Sequence, residues 1–466
     1  HSRLTPSRKA AASDNVADDG SSEISDAVEK LAEVKPDDLE KVAKSQAISA
    51  LAGGVVLHLA LGTLYIWGNI APFVTSYLRQ FDPNVTASDT LFVFATALMG
   101  LSFSLTFGGR MERKIGPKWT AMIGGYIMAA STFAAAQCRS VGALITVYGL
   151  VFGVGTGIAY SAPLVCGLRH LPTQKGLVSG IITAGFGAGA FLFNYISTWL
   201  VNPAGHAPVG GYFGPEVTAN IPFMFNALGC CYFLMVTLAG FLLKNPSPEV
   251  LAARQQAAAS GTQPALADDT CHIAPGDMFG EPQAWLLWVC FFLTSIGGIF
   301  VLGSYKSFGS FFSQQYLVAL GAWASIFNAC GRLAWGQLAD RTSYKIALST
   351  MTACLGTLLL CYSFTTFSAP LFFAVTCALV FCYGGNFSLY PTATATLFGS
   401  LNAGPNYGLI FTGLGFASVA SIFFGNKIVS VLGMAGVTQV YGLVCLLGCF
   451  LTIKFMNTPE TCSVPS

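Results

Sequence analysis

The sequence predicts an all-α membrane protein with twelve transmembrane helices in two pseudo-symmetric six-helix bundles. Three observations predict this fold class. First, 53% of the 466 residues are hydrophobic and 9% are charged, whereas soluble domains carry about 25% charged residues. Second, twelve apolar stretches reach the ~20 residues that a helix needs to cross a hydrocarbon core ~30 Å thick. Third, patterns in the first half of the chain recur in the second half.

The chain begins with a polar arm, residues 1–45, which holds 7 Lys or Arg and 10 Asp or Glu residues. This charge density excludes the arm from lipid, so we expect a helical or disordered segment on the solvent side. The arm is a candidate docking element for a partner in a membrane complex.

From residue 47 onward, long apolar runs alternate with polar loops. The runs are predicted as helices, because a barrel strand needs only about 9–11 residues and an open sheet cannot satisfy its backbone in lipid. The predicted spans are 47–78, 90–109, 119–138, 142–167, 177–201, 221–243, 284–305, 315–338, 346–366, 370–397, 406–430 and 436–456. The longest polar interruption follows the sixth span and divides the chain into a first bundle (46–243), a central loop (244–283), a second bundle (284–457) and a tail (458–466).

Basic residues concentrate in the loops that follow even-numbered spans. These residues are Arg110, Arg113, Lys114, Lys118, Arg169, Lys175, Lys244, Arg254, Arg341 and Lys345. The positive-inside rule then places both termini on the positive-inside face. The choice between a mitochondrial inner or other organellar membrane and the plasma membrane stays open, although the sequon Asn84-Val85-Thr86 suits the secretory pathway.

Two repeats relate the halves. Gly109 to Lys118, after the second span, matches Gly336 to Lys345, after the eighth. A segment of the fifth span, residues 176–188, matches residues 408–420 of the eleventh. Two related six-helix halves predict a substrate site near the membrane midplane between them, opened alternately to each side.

The loop after the eighth span resembles the loop motif of the major facilitator superfamily, with Gly336, Asp340, Arg341 and Lys345 in the pattern Gly-x-x-x-Asp-Arg-x-x-x-Lys. The glycine lets two helices approach, and the carboxylate is expected to pair with basic groups and to hold one gate conformation.

The first copy of this loop departs from the pattern. Arg113 stands where an acidic residue is expected, and the carboxylate is displaced to Glu112. We therefore expect a rearranged or weaker gate at Glu112 and Arg113.

Further motifs resemble the oxalate/formate antiporter family and the related monocarboxylate transporters, over nearly all of residues 50–456. They are Leu61-Gly62-x-x-Tyr65-x-Trp67, Gly153-x-Gly155-x-Gly157-x-x-Tyr160, Leu171-Pro172-x-x-Lys175-Gly176, Asn328-x-x-Gly331-Arg332-x-x-x-Gly336 and Tyr383-Gly384-Gly385-x-Phe387-x-x-Tyr390-Pro391. The resemblance implies a carboxylate carrier in which Arg332 binds the anion and aromatic residues enclose it. Those aromatic residues are Tyr65, Tyr160, Tyr383 and Phe387. The glycine cluster lies inside an apolar helix, so close helix packing is its expected role.

An ionisable residue inside a span is costly and is a functional candidate by default. The candidates are His58, Lys306 and Arg332. Arg332 shares a helical face with Asn328, and its planar fork matches the two oxygens of a carboxylate. The alternative is an arginine that snorkels to the interface or locks a gate, and Lys306, at a span end, is expected to be an interfacial anchor.

The first span places His58, Gly62, Tyr65 and Asn69 on one face, and this polar stripe is predicted to line the cavity. His58 has a reference pKa of about 6.5 and is the one group there suited to carrying a proton. For His58, and for each aromatic residue, packing against a neighbouring helix is the alternative role.

This sequence differs from the families it resembles at positions that bear on the identity of the substrate. Oxalate transporters are expected to carry a second cation in span eleven, where this chain has Leu414. A dianion would then bring an uncompensated charge into a low-dielectric cavity. Proton-coupled monocarboxylate carriers typically show a carboxylate before the arginine and a lysine in span one, where this chain has Asn328 and Asn69.

These features predict an alternating-access carrier of small organic monoanions such as pyruvate, lactate or formate, by exchange or uniport. The alternatives are a dicarboxylate antiporter of the oxalate type, a carrier for a neutral or cationic drug-like solute, and a transport-dead subunit of a membrane complex. An enzyme is not expected, because no nucleophile–base constellation or cofactor motif appears. No cofactor, metal or nucleic acid is predicted to bind.

Overall fold

A computed structural model describes residues 36–259 and 273–457, and these residues are almost entirely helical. The predictions for residues 1–35 of the arm, for 260–272 of the central loop and for the tail 458–466 lie outside the described residues. The main helices are Pro36–Leu61, Trp67–Leu78, Ala87–Ala135, Phe152–His170, Lys175–Val201, Ile221–Leu242, Pro248–Ala259, Pro282–Phe308, Gln314–Arg341, Tyr344–Cys361, Ala369–Phe398 and Ala403–Phe455. A 3-10 turn, Gly62–Ile66, joins the first two into the first span.

The described ranges contain eleven helices long and apolar enough to cross a membrane. One of them, Asp89–Ala135, has 47 residues, which at ~1.5 Å per residue is more than twice the thickness of a hydrocarbon core. It bends at Gly116, whose φ of 78° only glycine adopts readily. Gly433, with φ of 70°, bends Ala403–Phe455 in the same way. The eleven already count the two parts of Ala403–Phe455 separately, as Ala403–Gly425 and Lys427–Phe455. The 47-residue helix supplies both spans two and three, so the total is twelve as predicted.

The glycine cluster of the fourth span serves close packing, as expected. A Cβ at Gly153 would collide with the backbone of Ala97, and one at Gly157 would collide with the backbone of Leu101. The second and fourth spans can touch only because these positions carry no side chain.

Helix is present in two segments that the sequence assigned to the polar arm and the central loop. Among the described residues the first helix already includes Pro36, ten residues before the predicted start of the bundle, and the ion pairs Lys41–Asp38 and Lys44–Glu40 support its polar part. The central loop holds a helix, Pro248–Ala259. Its Arg254 donates to the carbonyl oxygens of Arg169 and His170 at 2.9 and 2.7 Å, so it caps the end of the fourth span.

The halves meet along two seams, the fifth span against the eighth and the second against the eleventh. We call the face that carries Arg113 and Asp340 the basic face. Hydrogen bonds between the halves, within the described ranges, run from this face to the level of Arg332, about two-thirds along the eighth span. The halves are therefore joined from the basic face to the level of Arg332.

Candidate functional site

Arg332 is fully buried where the halves meet. Its Nε donates to Asn328 Oδ1 at 3.0 Å, one turn away on the same helix, and its Nη1 donates to the carbonyl oxygen of Thr183 at 2.9 Å in the fifth span. Nη2 is buried without a hydrogen-bond partner. No acidic residue in the described part of the chain forms an ion pair with this guanidinium. One unpaired positive charge, with a free donor, therefore lies between the two halves.

Aromatic rings from both halves surround the guanidinium. Its carbon lies 4.2 Å from the ring centre of Phe387 and 5.5 Å from that of Phe186. Tyr383 packs against Phe387 at 5.5 Å, while Tyr65 and Tyr160 pack against Phe186 at 5.2 and 5.8 Å. The four predicted aromatic residues therefore lie in one cluster around Arg332. Such walls exclude water and favour a small solute.

His58 joins the same cluster from the first span. It is fully buried, and its ring meets that of Tyr160 edge-on at 4.8 Å. Its Nδ1 lies 3.1 Å from the carbonyl oxygen of Gly54, and because a carbonyl only accepts, this nitrogen carries the proton. Nε2 has no partner. The ring is thus held by a backbone bond, with one nitrogen free.

The two predicted asparagines take different positions. Asn328 orients Arg332 and donates from Nδ2 to the carbonyl oxygen of Val380 at 3.2 Å. Asn69 donates to Thr198 Oγ1 at 2.8 Å and to the carbonyl oxygen of Asn194 at 3.2 Å. Asn69 therefore connects the first span to the fifth, and neither of these two hydrogen bonds involves Arg332.

Sequence reasoning missed four residues here. Thr183 and Phe186 come from the fifth span, and Tyr407 and Phe411 from the eleventh; Phe411 packs against Tyr160 at 5.5 Å. A signal for these four residues is the sequence repeat that pairs the fifth span with the eleventh, since symmetry-related spans are expected to face the same central axis. Leu414, one turn beyond Phe411 on the same helical face, is also buried.

Lys306 lies in the last turn of the seventh span and is exposed. This position suits the interfacial anchor expected from the sequence.

The loop after the eighth span joins the halves at the basic face. Asp340 accepts hydrogen bonds from the backbone amides of Gly176 and Leu177 at 2.7 and 2.6 Å, at the beginning of the fifth span. The carboxylate therefore lies at the free amides and positive dipole end of a helix, and the nearby positive charge of Lys175 also favours its ionised form. Gly336 has no side chain to separate it from the Gly176 backbone. Arg341 is exposed.

The first copy of the loop is rearranged, as its sequence suggested. Glu112 is buried and forms a bidentate ion pair with Arg169 within the first half. Nη1 and Nη2 of Arg169 donate to Oε1 and Oε2 of Glu112 at 2.6 and 3.1 Å. Arg113 crosses to the second half and donates to Asn402 Oδ1, at the beginning of the eleventh span. The two seams are thus fastened by opposite charges, Asp340 on one and Arg113 on the other.

Twelve spans in two joined halves, with a charged group buried between them, are typical of a membrane transporter. The family model of the Major Facilitator Superfamily matches residues 56–422, and the chain belongs to this superfamily. It is an integral membrane transporter and not an enzyme.

The chain is also similar to individual transporters of this superfamily and its relatives. The chain is 29% identical to apicoplast pyruvate carrier 1 of Toxoplasma gondii, over 87% of each chain. It is 25% identical to the oxalate:formate antiporter of Oxalobacter formigenes, over 68% of this chain and 70% of that one. Among solved structures, the proton:xylose symporter XylE matches with a TM-score of 0.65 at 14% identity, over 90% of this chain and 97% of that one. The XylE match shows the fold.

Proposed function

We propose that this protein carries small organic monoanions across a membrane by alternating access, with pyruvate, lactate and formate as representative substrates. One observation carries the proposal. Arg332 is buried with Nη2 unpartnered and with no carboxylate beside it in the described residues. An unpaired buried charge costs several kcal/mol, and a bound carboxylate would remove that cost.

The number of charges favours a monoanion over a dianion. Arg332 is the fixed cation of the aromatic cluster, and Leu414 offers no second one. A dicarboxylate would leave one negative charge uncompensated. A pyruvate carrier and an oxalate:formate antiporter among the relatives support carboxylates as the substrate class, and the charge count favours a monocarboxylate.

The contacts at the basic face supply the proposed gates. Asp340 on the fifth-span amides and Arg113 on Asn402 fasten the halves on that side. Opening toward the basic face must break both contacts, while the glycine approach at Gly336 allows them to form again. We propose that this face looks toward the positive-inside compartment.

A competition assay tests the proposal. Purified protein in vesicles would take up labelled pyruvate while lactate, formate, oxalate, malonate, a neutral sugar and an organic cation compete in turn. We expect the monocarboxylates to compete best. Uptake blocked only by the dicarboxylates would favour the oxalate-type alternative, and absence of uptake of any of these solutes would favour a transport-dead subunit.

A further inference from the structure

His58 carries an unused hydrogen-bonding group in the aromatic cluster around Arg332. The ring is fully buried, and its Nε2 makes no hydrogen bond with the described residues. Buried polar groups nearly always have a partner, because leaving a hydrogen bond unmade costs free energy. A carboxylate bound to Arg332 would not by itself supply that partner. Nε2 therefore points to a further group on the ligand.

The backbone of the first span determines what kind of group Nε2 can bind. Nδ1 lies 3.1 Å from the carbonyl oxygen of Gly54 and carries the ring proton, since a carbonyl oxygen only accepts. In the other tautomer, the lone pairs of Nδ1 and of this oxygen would face each other. A neutral imidazole has one N–H group, so Nε2 is an acceptor. It can bind a donor and repels another acceptor.

His58 and Arg332 belong to one site. The ring of Tyr160 meets that of His58 at 4.8 Å, and the Tyr160 hydroxyl interacts with the guanidinium of Arg332. Both residues also pack on Phe186, with the His58 ring centre at 6.3 Å and the guanidinium carbon at 5.5 Å from its ring centre. The site thus presents a free donor, Nη2 of Arg332, and a free acceptor, Nε2 of His58.

The tyrosine hydroxyls of the cluster do not impose the same requirement. They interact in pairs across the two halves, Tyr65 with Tyr383 and Tyr160 with Tyr407. A phenol hydroxyl both donates and accepts, so it can turn to suit a ligand group of either kind. His58 is the residue of the cluster whose fixed tautomer distinguishes a donor from an acceptor on the ligand.

We infer that the preferred substrate is a small 2-hydroxy monocarboxylate such as lactate, whose carboxylate accepts from Arg332 Nη2 while its hydroxyl donates to His58 Nε2. The inference rests on the proposed function and narrows its substrate class. Pyruvate, a 2-oxo acid, still binds through Arg332, but it sets its keto oxygen against the Nε2 lone pair or leaves Nε2 unpaired. Formate has no group that could reach Nε2 as a donor while its carboxylate is held.

The test compares three acids of the same chain length in titration calorimetry on the purified protein. Lactate has a hydroxyl donor, pyruvate has a keto oxygen, and 2-fluoropropionate replaces the hydroxyl of lactate by a fluorine of similar size that cannot donate. We expect the wild type to bind lactate about tenfold more tightly than either of the other two, the usual effect of one hydrogen bond.

Two histidine variants locate the source of this preference. His58→Phe keeps the aromatic packing and removes the acceptor, so it should weaken lactate binding about tenfold and leave pyruvate binding within about twofold, which also shows that the variant is folded. His170→Phe is the matched control. His170 is another buried histidine with one ring nitrogen held by a carbonyl, that of Lys244 at 2.9 Å, and the other without a partner, but it lies at the end of the fourth span. It should keep the wild-type preference.

Equal wild-type affinities for lactate, pyruvate and 2-fluoropropionate, or a tighter fit of pyruvate, would overturn the inference and leave the proposed function standing. The same conclusion would follow if His58→Phe kept the preference for lactate or lost lactate and pyruvate to the same extent. A wild type that binds none of the three acids would overturn the proposed function together with the inference.

Discussion

Arg332 Nη1 donates a hydrogen bond of 2.9 Å to the carbonyl oxygen of Thr183, and this bond joins the eighth span to the fifth. The two residues belong to different halves of the protein. Because the same guanidinium keeps Nη2 free, the group proposed to hold the substrate also joins the two halves. Substrate binding and the approach of the halves therefore depend on one side chain.

Loss of the guanidinium should weaken pyruvate binding strongly. We expect Arg332→Gln to weaken pyruvate binding by at least about 2 kcal/mol, or about thirtyfold, as for other buried charge pairs that lose one partner. Arg332→Lys should recover little, since an ammonium lacks the planar fork. Titration calorimetry measures both. Arg254→Gln is the control, because Arg254 caps the fourth span away from the site. Normal binding by Arg332→Gln would contradict the assignment of the anion site.

Much of the fold and part of the site follow from the sequence for a physical reason. The lengths of the apolar runs predict the spans, and a charged residue within a span indicates a functional site, so Arg332 can be identified from the sequence. Phe186 and Phe411 did not, because a phenylalanine in an apolar helix looks the same whether it faces lipid or a cavity. Asn69 shares a helical face with His58 and Tyr65, but its amide bonds to the fifth span, and helical spacing alone does not tell which neighbour a side chain contacts. The amide partners of Asp340 were hidden because a helix end leaves no side-chain signature.

Charge at position 414 should set the preference between monoanions and dianions. Leu414 is buried on the helical face that carries Tyr407 and Phe411. A lysine there would add a second positive charge, so Leu414→Lys should raise the potency of oxalate and malonate relative to pyruvate. Competition against labelled pyruvate measures the ratio, and Leu414→Met, which keeps the volume, is the control. Tight oxalate binding by the wild type would mean that another cation reaches the site.

Removal of the Asp340 charge should loosen the basic face. An anion at a helix N-terminus stabilises by about 0.3–1 kcal/mol, and up to about 2 kcal/mol when partly buried. In Asp340→Asn the backbone amides of Gly176 and Leu177 should therefore exchange hydrogen faster, which mass spectrometry can follow. Asp277→Asn, an exposed position outside this contact, should leave the rate unchanged. Unchanged exchange in Asp340→Asn would argue against a latch at this contact.

The contact between Arg113 and Asn402 can be strengthened by a substitution at position 402. Asn402 accepts from Arg113, so Asn402→Asp would convert a hydrogen bond into an ion pair and should hold the basic face closed. We expect slower pyruvate exchange with unchanged binding. The double variant Asn402→Asp with Arg113→Gln removes the new pair and should recover the rate. A slow double variant would mean that Asn402→Asp acts by disturbing the Ile273 contact.

The final prediction concerns coupling to protons. A carrier that moves a proton with its anion needs a titrating group near the substrate, and Asn328, beside Arg332, cannot titrate. Acidic residues in the described spans lie at span ends or in loops, which leaves His58. Protonating Nε2 of this fully buried ring would place a second positive charge near Arg332, and no acidic side chain of the described spans lies there to balance it. We therefore expect His58 to stay neutral and the protein to act as an exchanger or uniporter, so that an imposed pH gradient does not drive pyruvate accumulation.

Uptake of pyruvate with and without the gradient, in wild type and in His58→Gln, tests this expectation. Accumulation that the mutation removes would identify His58 as the proton site, and accumulation that survives it would require a proton carrier elsewhere in the chain.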